Sequence, residues 1–239
     1  MVNFVELARA FTPEGYELTL RQRDEEFEIR FNGWQVMSSR GSQSEETLAR
    51  LVCEGLGRRS ARILIGGLGM GYTVRAALDA ASPDSRVIVS ELVPAVIDWN
   101  RGPLASLARR PLEDPRVEVR SGSVIDILSV SQRSFDGIIL DVDNGPKAVL
   151  YRPNRFLYSA GGLELVKGAL AVDGALGVWS ADRSIAFENA LRDAGFKWRR
   201  VAVDAAAMTV APSTHDLHSA RWARSWIGGY GPRCVNGIV

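Results

Sequence analysis

Three unbroken apolar runs, Ile63-Leu64-Ile65, Val87-Ile88-Val89 and Ile138-Ile139-Leu140, constrain this chain more than any other feature. Successive side chains of a strand point to opposite faces of the pleat, so a strand that is apolar throughout is buried on both. A parallel sheet covered by helices on each side is the architecture that buries several such strands at once. Strands are expected at 61–65, 86–91, 116–120, 135–141 and 174–180. Between and after them, helices are expected at 72–81, 94–108 (broken at Gly102-Pro103), 124–128, 156–170 and 184–194. Segments 196–203 and 217–226 complete the set as an antiparallel pair. The pattern reads as α/β: a doubly wound, mostly parallel seven-stranded sheet of Rossmann-like type.

Upstream, Tyr16, Leu18 and Leu20 alternate with polar residues, as do Phe27, Ile29 and Phe31, with the charged run 21–26 between them. This predicts a short N-terminal β-hairpin. A first helix follows at about Ser44. Ser42 and Glu45 have capping-box spacing, and Leu48, Leu51, Val52 and Leu56 share one face. Gly55 and Gly57 flank its expected end. The organisation expected is a hairpin extension over 1–43, a single α/β domain over 44–227 and a flexible tail over 228–239.

Composition narrows the partners. Of 239 residues, 46% are hydrophobic, and 29 Lys+Arg oppose 28 Asp+Glu for a net charge of +1. No global field attracts nucleic acid or an anionic membrane. Cys53 and Cys234 form no Cys-x-x-Cys pair, so a zinc site is not expected. Residues 1–11 lack the basic and apolar regions of a secretory signal, and no apolar run approaches the ~18–20 residues of a membrane span. A cytoplasmic protein is expected.

The strongest local signal is Ile65-Gly66-Gly67-Leu68-Gly69-Met70-Gly71-Tyr72, where the first core strand meets its helix. Glycine there permits a tight turn and lets a ligand lie against bare peptide. The next strand ends in Glu91, close to the ~20-residue offset at which an acidic residue takes ribose hydroxyls. A nicotinamide-dinucleotide fingerprint needs a small residue where Tyr72 stands. Gly67-x-Gly69-x-Gly71 has instead the spacing expected for S-adenosylmethionine.

These residues, in this order, resemble the spermidine-synthase family, the polyamine aminopropyltransferase branch of the S-adenosylmethionine-dependent methyltransferase superfamily. The resemblance runs from about Glu17 to Ser180. It takes in the hairpin, the glycine loop, Val89-Ser90-Glu91, Asp114-Pro115-Arg116-Val117, the strand Phe135-Asp136-Gly137-Ile138-Ile139-Leu140-Asp141, and Gly145-Pro146. It implies that Gly66, Gly67, Gly69, Gly71, Glu91, Leu92, Gly122, Ser123 and Asp141 bind the nucleoside, and that the protein forms a homodimer. There are departures. Gly69 stands where the family's glycine loop has the Asp that holds the donor's amine, and Gly122-Ser123 stands for its Gly-Asp. Ser44-Glu45 replaces a Tyr-Gln or Tyr-His pair, and the catalytic loop is shortened to Asp141-Val142-Asp143-Asn144-Gly145-Pro146.

Asp141 ends a buried strand at the carboxyl edge of the sheet, and Asp143 follows two residues on. The resemblance makes Asp141 the general base or amine orienter, with Asp143 beside it as a second catalytic acid. Glu45, Glu46 and Tyr151 are candidate pocket residues, Trp99 and Tyr158 candidate packing residues. His215 and His218, three apart, have no third metal ligand in view. The nucleoside loop without its donor-amine Asp favours methyl transfer from S-adenosylmethionine to a small amine. The alternatives are aminopropyl transfer from decarboxylated S-adenosylmethionine, and a nucleoside-binding protein without catalysis.

Overall fold

The computed structural model describes residues 3–57, 59–146, 150–204 and 214–221. The expected tail over 228–239, Cys234 and the end of the 217–226 segment lie outside the described residues. Two sheets form. Strands β1 (Val5–Phe11), β2 (Glu17–Arg23), β3 (Glu26–Phe31) and β4 (Trp34–Ser38) make an antiparallel meander. The larger sheet contains β5 (Arg62–Gly66), β6 (Arg86–Glu91), β7 (Val117–Ser121), β8 (Phe135–Leu140), β9 (Leu170–Ser180), β10 (Lys197–Asp204) and β11 (Thr214–Arg221). Their order across the sheet is β10-β11-β9-β8-β5-β6-β7. The five strands from β9 to β7 run parallel, and β11 pairs antiparallel with both β9 and β10.

The short hairpin expected at the N-terminus is therefore a four-stranded sheet. Its central pair is the expected one, joined by a two-residue turn at Asp24, whose φ is 53°. The third and fourth strands meet at Asn32-Gly33, with φ of 46° and 80°. Asn-Gly favours left-handed backbone at both turn positions and is a strong hairpin signal. The first strand is harder to see, because Val5, Leu7 and Phe11 are exposed and no buried alternation marks it.

The central strands are buried as their composition demands: Ile63, Leu64, Ile65, Ile138 and Ile139 have no solvent exposure. Helices α1 (Gln43–Leu56), α2 (Tyr72–Ala80) and α3 (Pro94–Arg101) pack on one face, and α4 (Val124–Ser129), α5 (Ala160–Ala169) and α6 (Ile185–Asp193) on the other. The single helix expected over 156–170 is instead a 3-10 helix, Arg152–Tyr158, followed by α5. Ser159 separates them in extended backbone, and its hydroxyl caps α5 by accepting from the Gly162 N–H. Leu170 then already belongs to β9.

Two glycines set the position of α1. A Cβ on Gly137 would stand 3.1 Å from Val52 and 3.2 Å from Leu56, and one on Gly177 would stand 2.6 Å from Val52 and 2.8 Å from Leu48. The helix thus sinks into a trough between β8 and β9. Leu56 lies near the start of β8 and Leu48 towards the end of β9, so α1 runs against the strands. Its first turn arrives at the carboxyl edge of the sheet. The expected capping box does not form. The Ser42 hydroxyl donates to Glu46 at 2.7 Å, and Glu45 is turned inward and buried.

Gly177→Ala is expected to cost about 1–3 kcal/mol by overfilling the trough, and Leu48→Ala about 2–5 kcal/mol by emptying it. Because the added methyl occupies space that the lost side chain vacates, the double variant should be more stable than the sum of the two losses implies. Urea unfolding of all four proteins, analysed as a double-mutant cycle, measures the difference.

Candidate functional site

The chain passes from β5 to β6 and β7 on one side, then returns to β8 on the other side of β5. This switch point opens a crevice outside the carboxyl ends of the strands, where α/β sheets hold ligands. The turn 66–71 and Asp141 meet there. Gly67 has φ +90°, and a Cβ on it would overlap the carbonyl oxygen of Asp141. The peptide is bare because two strand ends touch. The Gly67 N–H donates to the Ser90 carbonyl at 2.8 Å, and the Asp141 N–H to the Gly66 carbonyl at 2.8 Å.

Not all four glycines face the cavity. Gly67 and Gly69 line it. Gly66 is wedged between Val124 and Val142, and Gly71, at φ +84°, opens α2 against Asn100 and Pro111. Asn100, itself buried, donates from Nδ2 to the carbonyls of Gly69 at 2.8 Å and Val96 at 2.9 Å. It clamps the loop from α3, a role that its place in the sequence does not signal.

Glu91 points into the crevice. One oxygen accepts the Leu68 N–H at 2.9 Å and the other the Val93 N–H at 2.8 Å. Burial pushes its carboxyl upward, against the pull of the N–H groups of Val93, Leu68, Leu92 and Gly69. These N–H groups fix the carboxylate on the cavity wall, at the position expected for a ribose partner. Leu92, Gly122 and Ser123 line the same wall. The Ser123 hydroxyl accepts the Ile125 N–H at 3.2 Å, which leaves its proton available to a ligand.

Asp141 is half-buried, lines the same cavity as Glu91 and accepts the Thr73 hydroxyl at 2.6 Å. Burial pushes its carboxyl up to about 7, with the nearby negative charge of Glu45 adding to the rise and Thr73 opposing it. Asp143 is engaged differently. It accepts the Leu150 N–H at 2.8 Å, the Tyr151 N–H at 3.2 Å and Asn154 Nδ2 at 2.9 Å, so it organises the loop after β8 while facing the cavity. Burial raises it to about 6. Tyr151 lines the cavity, Tyr158 is buried edge-on against Phe187, and Trp99 belongs to the core. Glu46 faces a separate groove with Arg50 and Arg75. His215 and His218 lie in β11, where their helical spacing does not apply.

Four carboxylates therefore face one cavity, Glu45, Glu91, Asp141 and Asp143, and no Lys, Arg or His lines it among the described residues. The N-terminal sheet adds an apolar wall of Leu18, Ile29, Phe31 and Val36.

No family model matches the chain, and no curated protein matches it in sequence. Solved structures match it in shape. The spermidine synthase from Thermotoga maritima superposes with a TM-score of 0.72 at 17% identity, over 91% of this chain and 73% of that one. A spermidine synthase in complex with the transition-state analogue AdoDATO gives 0.71 at 17% identity, over 91% and 72%. A probable spermidine synthase from Corynebacterium glutamicum gives 0.62 at 16% identity, over 92% and 81%. The fold is that of the spermidine synthases. In the glycine loop, Met37 of β4 sits over Gly69. A Cβ there would stand 2.7 Å from the Met37 methyl and 2.9 Å from its sulfur.

The raised carboxyl of Asp141 has a consequence for stability. The folded chain keeps this proton up to about pH 7, whereas an unfolded Asp releases it near its ordinary value of 3.8. Between those values the folded state binds more protons, so this group's contribution falls as pH rises. Asp141→Asn, which retains an acceptor for Thr73, should raise Tm by roughly 2–5 °C at pH 8 and have little effect near pH 4. Calorimetric scans of both proteins at the two pH values test it.

Proposed function

We propose that this chain transfers the aminopropyl group of decarboxylated S-adenosylmethionine to a small amine. The observation that carries this reading is the sign of the cavity. S-adenosylmethionine ends in an amino acid, whose carboxylate would enter a site lined by four acids and, among the described residues, no base. The decarboxylated donor ends in a bare ammonium, which the same site attracts. This favours aminopropyl transfer over the methyl transfer expected from the glycine loop alone. The likeness to spermidine synthases supports the same choice.

The residues present fit such a donor. Gly67 and Gly69 present bare peptide on the cavity wall, and Glu91 lines the same cavity, where a ribose would lie. The donor supplies a carbon activated by its bond to sulfonium sulfur. Asp141 receives the proton that the acceptor's ammonium must lose before its nitrogen can attack. The new C–N bond forms as the C–S bond breaks, the electron pair passes to sulfur, and a neutral thioether nucleoside departs. Thr73 holds the Asp141 carboxylate in place, and Asp143 positions Tyr151 and Asn154 beside it. A base that titrates at about 7 is matched to this task near neutral pH.

Incubation with each donor and a panel of mono-, di- and triamines, read by mass spectrometry, tests the reading. The expected product is an acceptor heavier by an aminopropyl unit, with 5′-methylthioadenosine as co-product. Asp141→Asn should lower kcat about 10²–10⁴-fold. Methylated acceptors with S-adenosylhomocysteine would support methyl transfer instead, and nucleoside binding without any product would support the non-catalytic reading.

The exposed apolar side chains of the two edge strands, Phe11 and Trp34, support a homodimer through the N-terminal sheets. Sedimentation velocity should report a dimer, and Phe11→Asp a monomer.

A further inference from the structure

The four cavity acids are not equivalent. Glu91 holds the glycine loop, Asp141 holds Thr73, and Asp143 holds the loop after β8. Glu45 holds nothing across the cavity. Its carboxylate accepts from the hydroxyl of the adjacent Ser44 and from its own backbone N–H, both local contacts. A carboxylate in the first turn of a helix is normally left in water, where the helix dipole favours it at little cost. Here Glu45 is 7% exposed and faces the negative charge of Asp141. Setting a buried carboxylate beside a half-buried one, with no Lys, Arg or His lining the cavity among the described residues, is unfavourable unless a ligand brings the cation.

The place of Glu45 indicates which part of a ligand that is. Its charge is felt by Tyr72 and by Asp141. Tyr72 opens α2 directly after the glycine loop, and Thr73, the next residue, holds Asp141. Glu45 therefore overlooks the glycine loop, whereas Asp143, Tyr151 and Asn154 are tied together in the segment after β8. The loop itself offers no charge at Gly69, and the Met37 thioether occupies the space that a side chain there would need. Resting on the aminopropyl-transfer reading, we propose that Glu45 receives the terminal ammonium of the donor's three-carbon chain. The carboxylate that recognises the donor's tail thus comes from α1 and not from the glycine loop. Gly137 and Gly177 make this possible by letting α1 sink until its first turn reaches the cavity.

Titration calorimetry on the wild type and on the isosteric Glu45→Gln tests this with three nucleosides: decarboxylated S-adenosylmethionine, S-adenosylmethionine and 5′-methylthioadenosine, which lacks the charged tail. In the wild type the decarboxylated donor should bind at least about tenfold tighter than either of the others. Glu45→Gln should weaken the decarboxylated donor roughly 10–100-fold while methylthioadenosine changes less than about twofold, which also shows that the variant is folded. Equal weakening of all three nucleosides, or a preference for the decarboxylated donor that survives the substitution, overturns the assignment of Glu45 alone. A wild type that gains nothing from the ammonium tail overturns the aminopropyl-transfer reading together with it.

Discussion

Strands β5 and β8 are neighbours at the centre of the sheet, and the segments that leave them at the carboxyl edge are pressed together, backbone against backbone. Gly67 lies on the carbonyl of Asp141, closer than any side chain allows. The crevice depends on that contact. It orients the following peptides, so that the Leu68 N–H turns to Glu91 and the Gly69 carbonyl to Asn100. It also places the Asp141 side chain within reach of Thr73, at the start of the helix that the same turn begins. One close approach thus joins β5, β6, β8, α2 and α3 around a single cavity.

The second governing term is electrostatic. Carboxylates surrounded by apolar walls are disfavoured in their charged form, and burial is the leading cause of the upward displacement of Glu45, Glu91, Asp141 and Asp143 alike. The hydrogen bonds that Glu91 and Asp143 accept offset part of this cost and turn it into loop geometry. Such an arrangement weakens the empty fold and strengthens the hold on a cation, a trade that functional sites commonly make. The core has the means to sustain it, since the central strands are fully excluded from water.

Much of the architecture was legible from the chain. The expected strand over 86–91 is β6 to the residue, and the glycine loop and Glu91 stand where strand–turn–helix order put them. The misreadings have local causes. Asn32-Gly33 is a hairpin signal, but the strand it leads into, Trp34–Ser38, shows no buried alternation. Ser42 was paired with Glu45 by spacing, yet in the fold its hydroxyl meets Glu46, because Glu45 is drawn into the cavity. Asn100 and Thr73 lie on helix faces whose neighbours come from strands and turns up to 68 positions away, so no local pattern could assign them.

By itself, the order of apolar runs and glycines determined a parallel sheet with a nucleoside-type turn, because side-chain periodicity and backbone freedom act over a few residues and need no knowledge of the rest. What only the tertiary structure decided is the character of the cavity. The depth at which α1 rests on Gly137 and Gly177, the methionine laid over Gly69, and the meeting of four acids in one cavity all arise between segments remote in sequence. Burial and charge are properties of what surrounds a group, and the chain acquires its surroundings only by folding.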